Sequence, residues 1–145
     1  MPDTNLNILL ERPDLIDMDT FSQITEMDDD GDREFSSALC TSWIKQVEEG
    51  FEELDQAIAN AEFDKISSYS HHLHGLSEPL GTIKVISTFK DLQRLGNRED
   101  PTGSGKLDNE TALLKAAYLM QEGKEYYKQT ETIIRKALGM DTDGY

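Results

Sequence analysis

The chain has 145 residues, and its 29 acidic and 14 basic side chains give a formal net charge of −15. This excess of negative charge repels phosphate backbones and anionic lipid surfaces, so the composition disfavours nucleic acid and membranes as partners. The length fits one domain of ordinary size. Because Cys40 is the only cysteine, no internal disulfide is possible, and we expect a buried thiol.

The sequence lacks strong signals for a membrane or for secretion. No apolar run approaches the roughly 20 residues of a membrane span, and the first residues lack the basic stretch of a secretory signal. We therefore expect a soluble protein inside the cell. Residues 1–16 carry little periodicity and are expected to be poorly ordered.

The segment DMDTFSQITEM, residues 17–27, predicts a short helix with Phe21, Ile24 and Met27 on one side. We expect this helix to lie across one end of the fold. The acidic run MDDDGD, residues 27–32, follows it, but its glycine does not have the position that a calcium-binding EF-hand loop requires. We interpret the run as a loop that places acid at the N-terminus of the next helix, where the helix dipole favours negative charge.

Four longer segments have apolar residues at steps of three and four, which is the spacing of amphipathic helices. They span residues 33–60, 64–80, 82–97 and 109–139. Thr82 and Asn109 are the expected N-cap residues, and residues 97–108, NREDPTGSGKLD, are expected to form a loop. The apolar stripes consist of Phe35, Leu39, Trp43, Val47, Phe51, Leu54, Ile58, then Ile66, Tyr69, Leu73, Leu76, Leu80, then Val85, Phe89, Leu92, and finally Leu113, Ala117, Met120, Tyr127, Ile134 and Leu138.

Four helices that are apolar on one side can bury their stripes only against one another. The sequence therefore predicts an all-α fold, an antiparallel four-helix bundle with the short N-terminal helix packed across one end. The bundle domain is expected to cover residues 17–139, and residues 140–145 are expected to form a C-terminal tail.

Three histidines lie close together in SHHLHGLSEPLG, residues 70–81, on the second long helix. At about 100° per residue, His71 points away from the core side of this helix. Gly75 lies one turn later on the same exposed face, and a glycine there leaves the imidazole of His71 uncovered. His74 shares this face, and His72 lies further round the helix. The geometry is compatible with an inert surface histidine and with a reactive one.

The pattern His-x-x-x-Gly, followed by Ser and Leu-Gly, on the second long helix of an acidic bundle resembles the histidine-containing phosphotransfer (HPt) proteins. Their motif is close to H-x-[FL]-K-G-S-S-x-x-[LI]-G. The fungal branch is most similar, through MDDD before the first bundle helix and Leu-Gln-x-Leu-Gly at residues 92–96. The similarity covers the chain from about residue 18 to residue 138.

The resemblance implies that His71 is the phosphoacceptor, since the family motif places that histidine four residues before the glycine. It implies that His74 stands in place of the motif lysine and that Gln93 orients groups around the phosphoacceptor. It also implies that a receiver domain docks on the short first helix and on the faces beside the histidine. The matching positions are Thr20, Ile24, Met27, Leu39, His72 and Gly75. For Ile24, Met27 and Leu39, packing in the core is an equal alternative.

By the same resemblance, the imidazole takes a phosphoryl group from the receiver domain of a hybrid histidine kinase and passes it to the receiver domain of a response regulator. The protein is then a phosphotransfer protein rather than an enzyme. It is expected to need no cofactor of its own, because magnesium belongs to the receiver. The resemblance also implies a monomer in the cytoplasm and nucleus.

Three positions depart from the family motif: His74 replaces lysine, Leu76 replaces serine, and Pro79 should kink or end the helix. Histidine is only partly protonated near neutral pH, so we expect slower or more pH-dependent transfer than with lysine. Two alternatives to transfer stay open. The chain could bind receivers without transferring phosphate, or His71, His74 and Glu78 could bind a metal ion. The metal site is disfavoured because bundle sites repeat Glu-x-x-His, which the sequence lacks.

Overall fold

The structure, a computed structural model, describes residues 5–29 and 32–140. Within these ranges the chain forms α-helices and two short 3-10 helices, and no β-strand. The α-helices are α1 (Met18–Thr25), α2 (Glu34–Ala59), α3 (Phe63–Ser77), α4 (Ile83–Gly96) and α5 (Asn109–Leu138). The 3-10 helices span Leu6–Glu11 and Glu78–Leu80. The predicted all-α fold is confirmed, and most of the predicted tail lies outside the described residues.

The four long helices surround one core. Helix α2 packs on α3 and α5, and α4 also packs on α3 and α5. Contacts between α2 and α3 run in opposite chain directions, because Trp43 bonds to Ser77 whereas Gly50 lies against Leu73. The contacts of α5 with α2 and with α4 also run in opposite chain directions. The short helix α1 contacts α2 and the 3-10 turn that follows α3.

Most positions of the predicted apolar stripes are buried in this core. They are Trp43, Val47, Phe51, Leu54, Ile66, Leu73, Leu80, Val85, Phe89, Leu92, Met120, Tyr127, Ile134 and Leu138. The ring of Tyr127 lies 5.5 Å from that of Trp43 and 5.7 Å from that of Phe51, and its hydroxyl donates a hydrogen bond to Glu48. Each helix is apolar on one side only, and none in the described ranges has the length and apolarity needed to cross a membrane.

The apolar stripes differ from the prediction at the start of α2 and over the first three turns of α5. Phe35 is 41% exposed. In α5, Ala112 and Ala116 are buried, whereas Leu113 is half-buried and Ala117 is exposed. Burial is incomplete in the first turns of a helix, and the spacing of apolar residues does not decide there which of two neighbours faces inward.

The N-cap residues also differ from the prediction. Asp108, not Asn109, caps α5, because its Oδ1 accepts a hydrogen bond from the backbone N–H of Thr111 at 2.8 Å. Thr82 precedes α4 as expected, but its hydroxyl donates to the carbonyl of Ser77 at 3.3 Å instead of capping the helix. The Thr82 side chain therefore stabilises the turn between α3 and α4.

The breaks between helices fall where proline and glycine predicted them. Helix α3 ends at Ser77, two residues before Pro79, and a 3-10 turn carries the chain to Gly81. Gly81 has a φ of 64°, in the left-handed region that glycine adopts without strain. Residues 97–108 form a loop, as expected.

Residues 5–16 are more ordered than the sequence predicted. The 3-10 helix Leu6–Glu11 packs on α5, and the backbone N–H of Asn5 donates to the carbonyl of Ala137 at 2.8 Å. Leu9 is fully buried. The expectation of poor order for residues 1–16 is therefore wrong for this part, since a short 3-10 turn leaves no helical periodicity in the sequence. Residues 1–4 lie outside the described part.

A second backbone contact ties the N-terminal segment to the turn between α3 and α4. The N–H of Asp17 donates to the carbonyl of Gly81 at 2.8 Å, and the N–H of Ile83 donates to the carbonyl of Leu15 at 2.9 Å. We call this pair of bonds the N-terminal clamp. It holds the start of α1 against the end of the segment that carries the histidines.

Cys40 lies in the core side of α2 with none of its surface exposed. Burial, with a smaller contribution from the charge of Asp28, raises the pKa of its thiol to about 12. The thiol is therefore protonated and unreactive at neutral pH. The prediction of a buried cysteine is confirmed.

Asp28, within the acidic run 27–32, joins α1 to α2. Its carboxylate accepts hydrogen bonds from the backbone N–H of Ser36 at 2.8 Å, the Ser36 hydroxyl at 2.6 Å and Arg33 at 3.3 Å. Burial raises the pKa of this carboxyl, but the hydrogen bonds from Ser36 and Arg33 outweigh burial and hold it below its usual value. The run does place acid at the start of α2, although residues 30–31 lie outside the described part.

Replacing Asp28 with alanine is expected to lower the free energy of unfolding by about 1–2 kcal/mol, because both donors of Ser36 lose their acceptor. Since the pKa of Asp28 is lower in the folded chain, this stabilisation is complete above the unfolded pKa and is lost as the pH falls through the folded pKa. Urea denaturation at neutral and at acid pH measures both effects.

The matched control is Asp29→Ala, which removes an exposed carboxylate from the neighbouring position. It should change the free energy of unfolding by less than about 0.5 kcal/mol. An equal loss in the two variants would contradict the role assigned to Asp28.

Candidate functional site

The side chain of His71 lies on the exposed face of α3. One turn later, a Cβ atom built at Gly75 would meet no heavy atom within 4 Å. Helical side chains lean toward the N-terminus, so a larger residue at position 75 would lie over His71. The glycine therefore leaves the imidazole open to a partner. His72, the next residue, is also exposed.

His74 lies beside His71 on α3 but is held by a carboxylate. Its Nε2 atom is 2.5 Å from Oε1 of Glu78, one turn further along. The side chain of His74 is 21% exposed and that of Glu78 is 51% exposed. When His74 is protonated, it donates a hydrogen bond to this carboxylate, and its charge is shared with Glu78 instead of being directed only at His71.

Close packing of α3 on α4 fixes the position of Gln93 relative to His71. A Cβ atom built at Gly96 would lie 2.5 Å from the backbone N atom of Ser67 and 2.8 Å from its Cα atom. One turn along α3 from Ser67 is His71, and nearly one turn back along α4 from Gly96 is Gln93. The two residues therefore lie at the same level of the boundary between the helices, and Gln93 is half-buried there.

The six residues expected to bind a receiver differ in exposure. Met27 is 66% exposed, and His72 and Gly75 are exposed. Ile24 is 6% exposed and belongs to the core. The remaining two, Thr20 and Leu39, are half-buried, and the Thr20 hydroxyl donates to Asp17 at 3.1 Å.

The sequence did not predict the exposure of Phe35 or a groove on the outer side of α4. The groove has a volume of about 460 Å³ and runs between α4, the start of α1 and the turn after α3. Its charged lining residues are Asp17, Glu78, Lys90, Asp91 and Arg94. The spacing of Lys90 and Arg94, one turn apart, was the signal in the sequence that could have indicated a basic strip here.

The residues suggested for a metal site do not form a group of ligands. His74 uses its Nε2 atom to contact Glu78. Across residues 5–29 and 32–140, no three histidine, cysteine, aspartate or glutamate side chains are arranged so that they could hold a metal ion.

Comparison with known proteins gives the relationship of the chain. No family model matches it. It is 33% identical to "Multistep phosphorelay regulator 1" of Schizosaccharomyces pombe over 106 residues. This matched region is 73% of this chain and 36% of that protein. It is 35% identical to "Phosphorelay intermediate protein YPD1" of Candida albicans over 89 residues. This matched region is 61% of this chain and 48% of that protein. The chain is an HPt-type homologue of these fungal phosphorelay proteins.

The resemblance to fungal HPt proteins, indicated by the histidine motif, is confirmed. The matched region is less than half of the length of each relative. In this HPt homologue, Leu76 occupies the place of a motif serine and packs against the core. An apolar residue therefore fits that position, and the hydroxyl expected there is lost.

Replacing Gly75 with alanine is expected to raise the free energy of unfolding by about 0.5–1 kcal/mol, because alanine favours a helix and the added methyl group meets no atom. Replacing Gly96 with alanine is expected to lower it, because that methyl group would overlap the backbone of Ser67. Urea denaturation of the two variants side by side checks both. If alanine destabilised both positions, Gly75 would be required by the fold and not by access to His71.

Proposed function

We propose that this chain is a phosphorelay intermediate. His71 accepts a phosphoryl group from the aspartyl phosphate in the receiver domain of a hybrid histidine kinase and passes it to an aspartate in the receiver domain of a response regulator. The observation that carries the proposal is the exposed imidazole of His71 beside the open space at Gly75. Homology to two proteins named for phosphorelay supports it.

The chemistry requires an unprotonated ring nitrogen on His71, because its lone pair forms the new N–P bond. The P–O bond to the receiver aspartate breaks, and the aspartate leaves as a carboxylate. The imidazole ring is cationic until its other nitrogen releases a proton to solvent. In the second transfer, the ring takes a proton back from solvent on its other nitrogen, a carboxylate of the next receiver attacks phosphorus, and the N–P bond breaks so that His71 leaves as a neutral imidazole. An exposed histidine allows both partners to approach the phosphorus atom in turn.

In this proposal the chain supplies the nucleophile and a docking surface, and the receiver supplies the remaining groups. Magnesium and the acidic residues that hold it belong to the receiver, so the chain needs no cofactor of its own and is not an enzyme by itself. Met27 and His72 are exposed and available for docking. The chain acts as a monomer in the cytoplasm and nucleus.

A receiver-binding module without phosphotransfer is the second candidate. Two observations favour it: His74 shares its charge with Glu78, and Leu76 packs against the core where the motif has a hydroxyl. The transfer function is preferred because His71 is exposed and Gly75 leaves it uncovered, which docking alone does not require.

The deciding experiment incubates a phosphorylated receiver domain with the chain, with His71→Gln and with the matched control His72→Gln. The products are analysed by mass spectrometry under neutral conditions that preserve phosphohistidine. We expect an acid-labile phosphate on the parent and on His72→Gln, and none on His71→Gln. Binding of the receiver without any phosphate on the parent would support the docking module instead.

A second experiment tests the charge at position 74. Histidine is largely protonated at about pH 6 and largely neutral at about pH 8, whereas lysine is cationic at both. His74→Lys is therefore expected to increase the transfer rate several-fold at the higher pH and much less at the lower one. The readout is the ratio of the variant rate to the parent rate at each pH. An equal ratio at the two pH values would count against a charge role for His74.

A further inference from the structure

We propose that Lys90 of α4, and not a cation of α3, offsets the charge of a phosphoryl group on His71. This inference rests on the proposed function, since it concerns the phosphorylated form of His71. A phosphoryl group brings negative charge to a chain whose formal net charge is already −15. A cation near His71 is therefore needed more here than in a chain of balanced charge.

Two basic side chains of α3, His74 and Lys65, each contact a neighbouring carboxylate. His74 Nε2 contacts Glu78 Oε1, and Lys65 Nζ lies 3.0 Å from an oxygen of Glu62. A protonated His74 is thus already paired with a carboxylate. To donate to a phosphoryl group on His71, it would have to break its contact with Glu78. The position that carries lysine in the HPt motif is consequently a weak source of positive charge in this chain.

Lys90 lies at nearly the same level as His71 on the neighbouring helix. Counting from the contact between Ser67 and Gly96, His71 lies about 6 Å along α3, and Lys90 lies about 9 Å along the antiparallel α4. The two Cα atoms differ by only about 3 Å in level. The flexible four-carbon stem of lysine can bring its ammonium group across the boundary between the helices. Lys90 also lines the same groove as Glu78, the residue that directly follows α3.

Lys90 and Arg94 are the two cations of the groove, and Arg94 is the one that acts on the Asp91 charge. In the described part of the chain, no carboxylate lies within ion-pair distance of Lys90. Burial raises the pKa of Asp91, and the positive charge of Arg94 partly offsets this rise. Of the remaining acids, Glu78 contacts His74, and Asp17 accepts hydrogen bonds at the start of α1.

The test loads phosphate onto His71 chemically with potassium phosphoramidate, in which the imidazole displaces ammonia from phosphorus. No receiver domain is needed. The ³¹P NMR signal absent from His71→Gln is assigned to phosphorylated His71, and its pH titration is followed in each variant. Lys90→Gln is expected to raise the midpoint of phosphoryl protonation by roughly 0.3–1 pH unit, the effect of removing one charge about 6 Å away in a solvated site.

Two control variants separate charge from structure. Lys90→Arg keeps the charge and should keep the midpoint of the parent. Lys115→Gln removes an exposed lysine from α5 and should also leave the midpoint unchanged. Circular dichroism verifies that each variant is folded.

The outcomes distinguish this inference from the proposed function. The same midpoint in the parent and in Lys90→Gln would overturn the inference, even if receivers transfer phosphate normally. A shift in Lys90→Gln that Lys90→Arg restores would support it. Failure of a phosphorylated receiver to label the parent would count against the relay role alone, because chemical loading reports on Lys90 without a receiver.

Discussion

The close contact between α3 and α4 at Ser67 and Gly96 is the constraint on which the histidine site depends. Backbone atoms of Ser67 leave no room for a side chain at position 96, so the two helices have one register. That register brings the level of His71 on one helix to that of Gln93 on the other. A site assembled from two helices needs such a fixed register, because a shift of one turn would separate its members by more than 5 Å.

The residues that stabilise the bundle and the residues around His71 lie on different sides of the helices. Large apolar side chains and a ring cluster around Tyr127 fill the interior, and the tyrosine hydroxyl donates to the exposed Glu48 at its edge. On the outer side of α3, by contrast, Gly75 is unfavourable for a helix and has no contact to compensate for it. Packing in the core therefore compensates for the lower helix stability at Gly75, the position that keeps His71 accessible.

Periodicity was sufficient to predict α2 to α5 and to separate His71 from the core, because burial repeats every three or four residues along these helices. It could not predict the 3-10 helix Leu6–Glu11, whose order depends on contacts with α5. It also could not place Phe35, since spacing does not define the inner face in the first turn of a helix. The contact of His74 with Glu78 was consistent with their spacing, but only the structure shows that the contact forms.

The N-terminal clamp has a consequence for the order in which the chain folds. The carbonyl of Leu15 and the N–H of Asp17 find their backbone partners at Ile83 and Gly81, beyond the whole of α2 and α3. Closing so long a loop costs conformational entropy, which slows the formation of such contacts relative to local helices. The turn behind the histidines should consequently reach its final form late, after the helices that bear the site have formed.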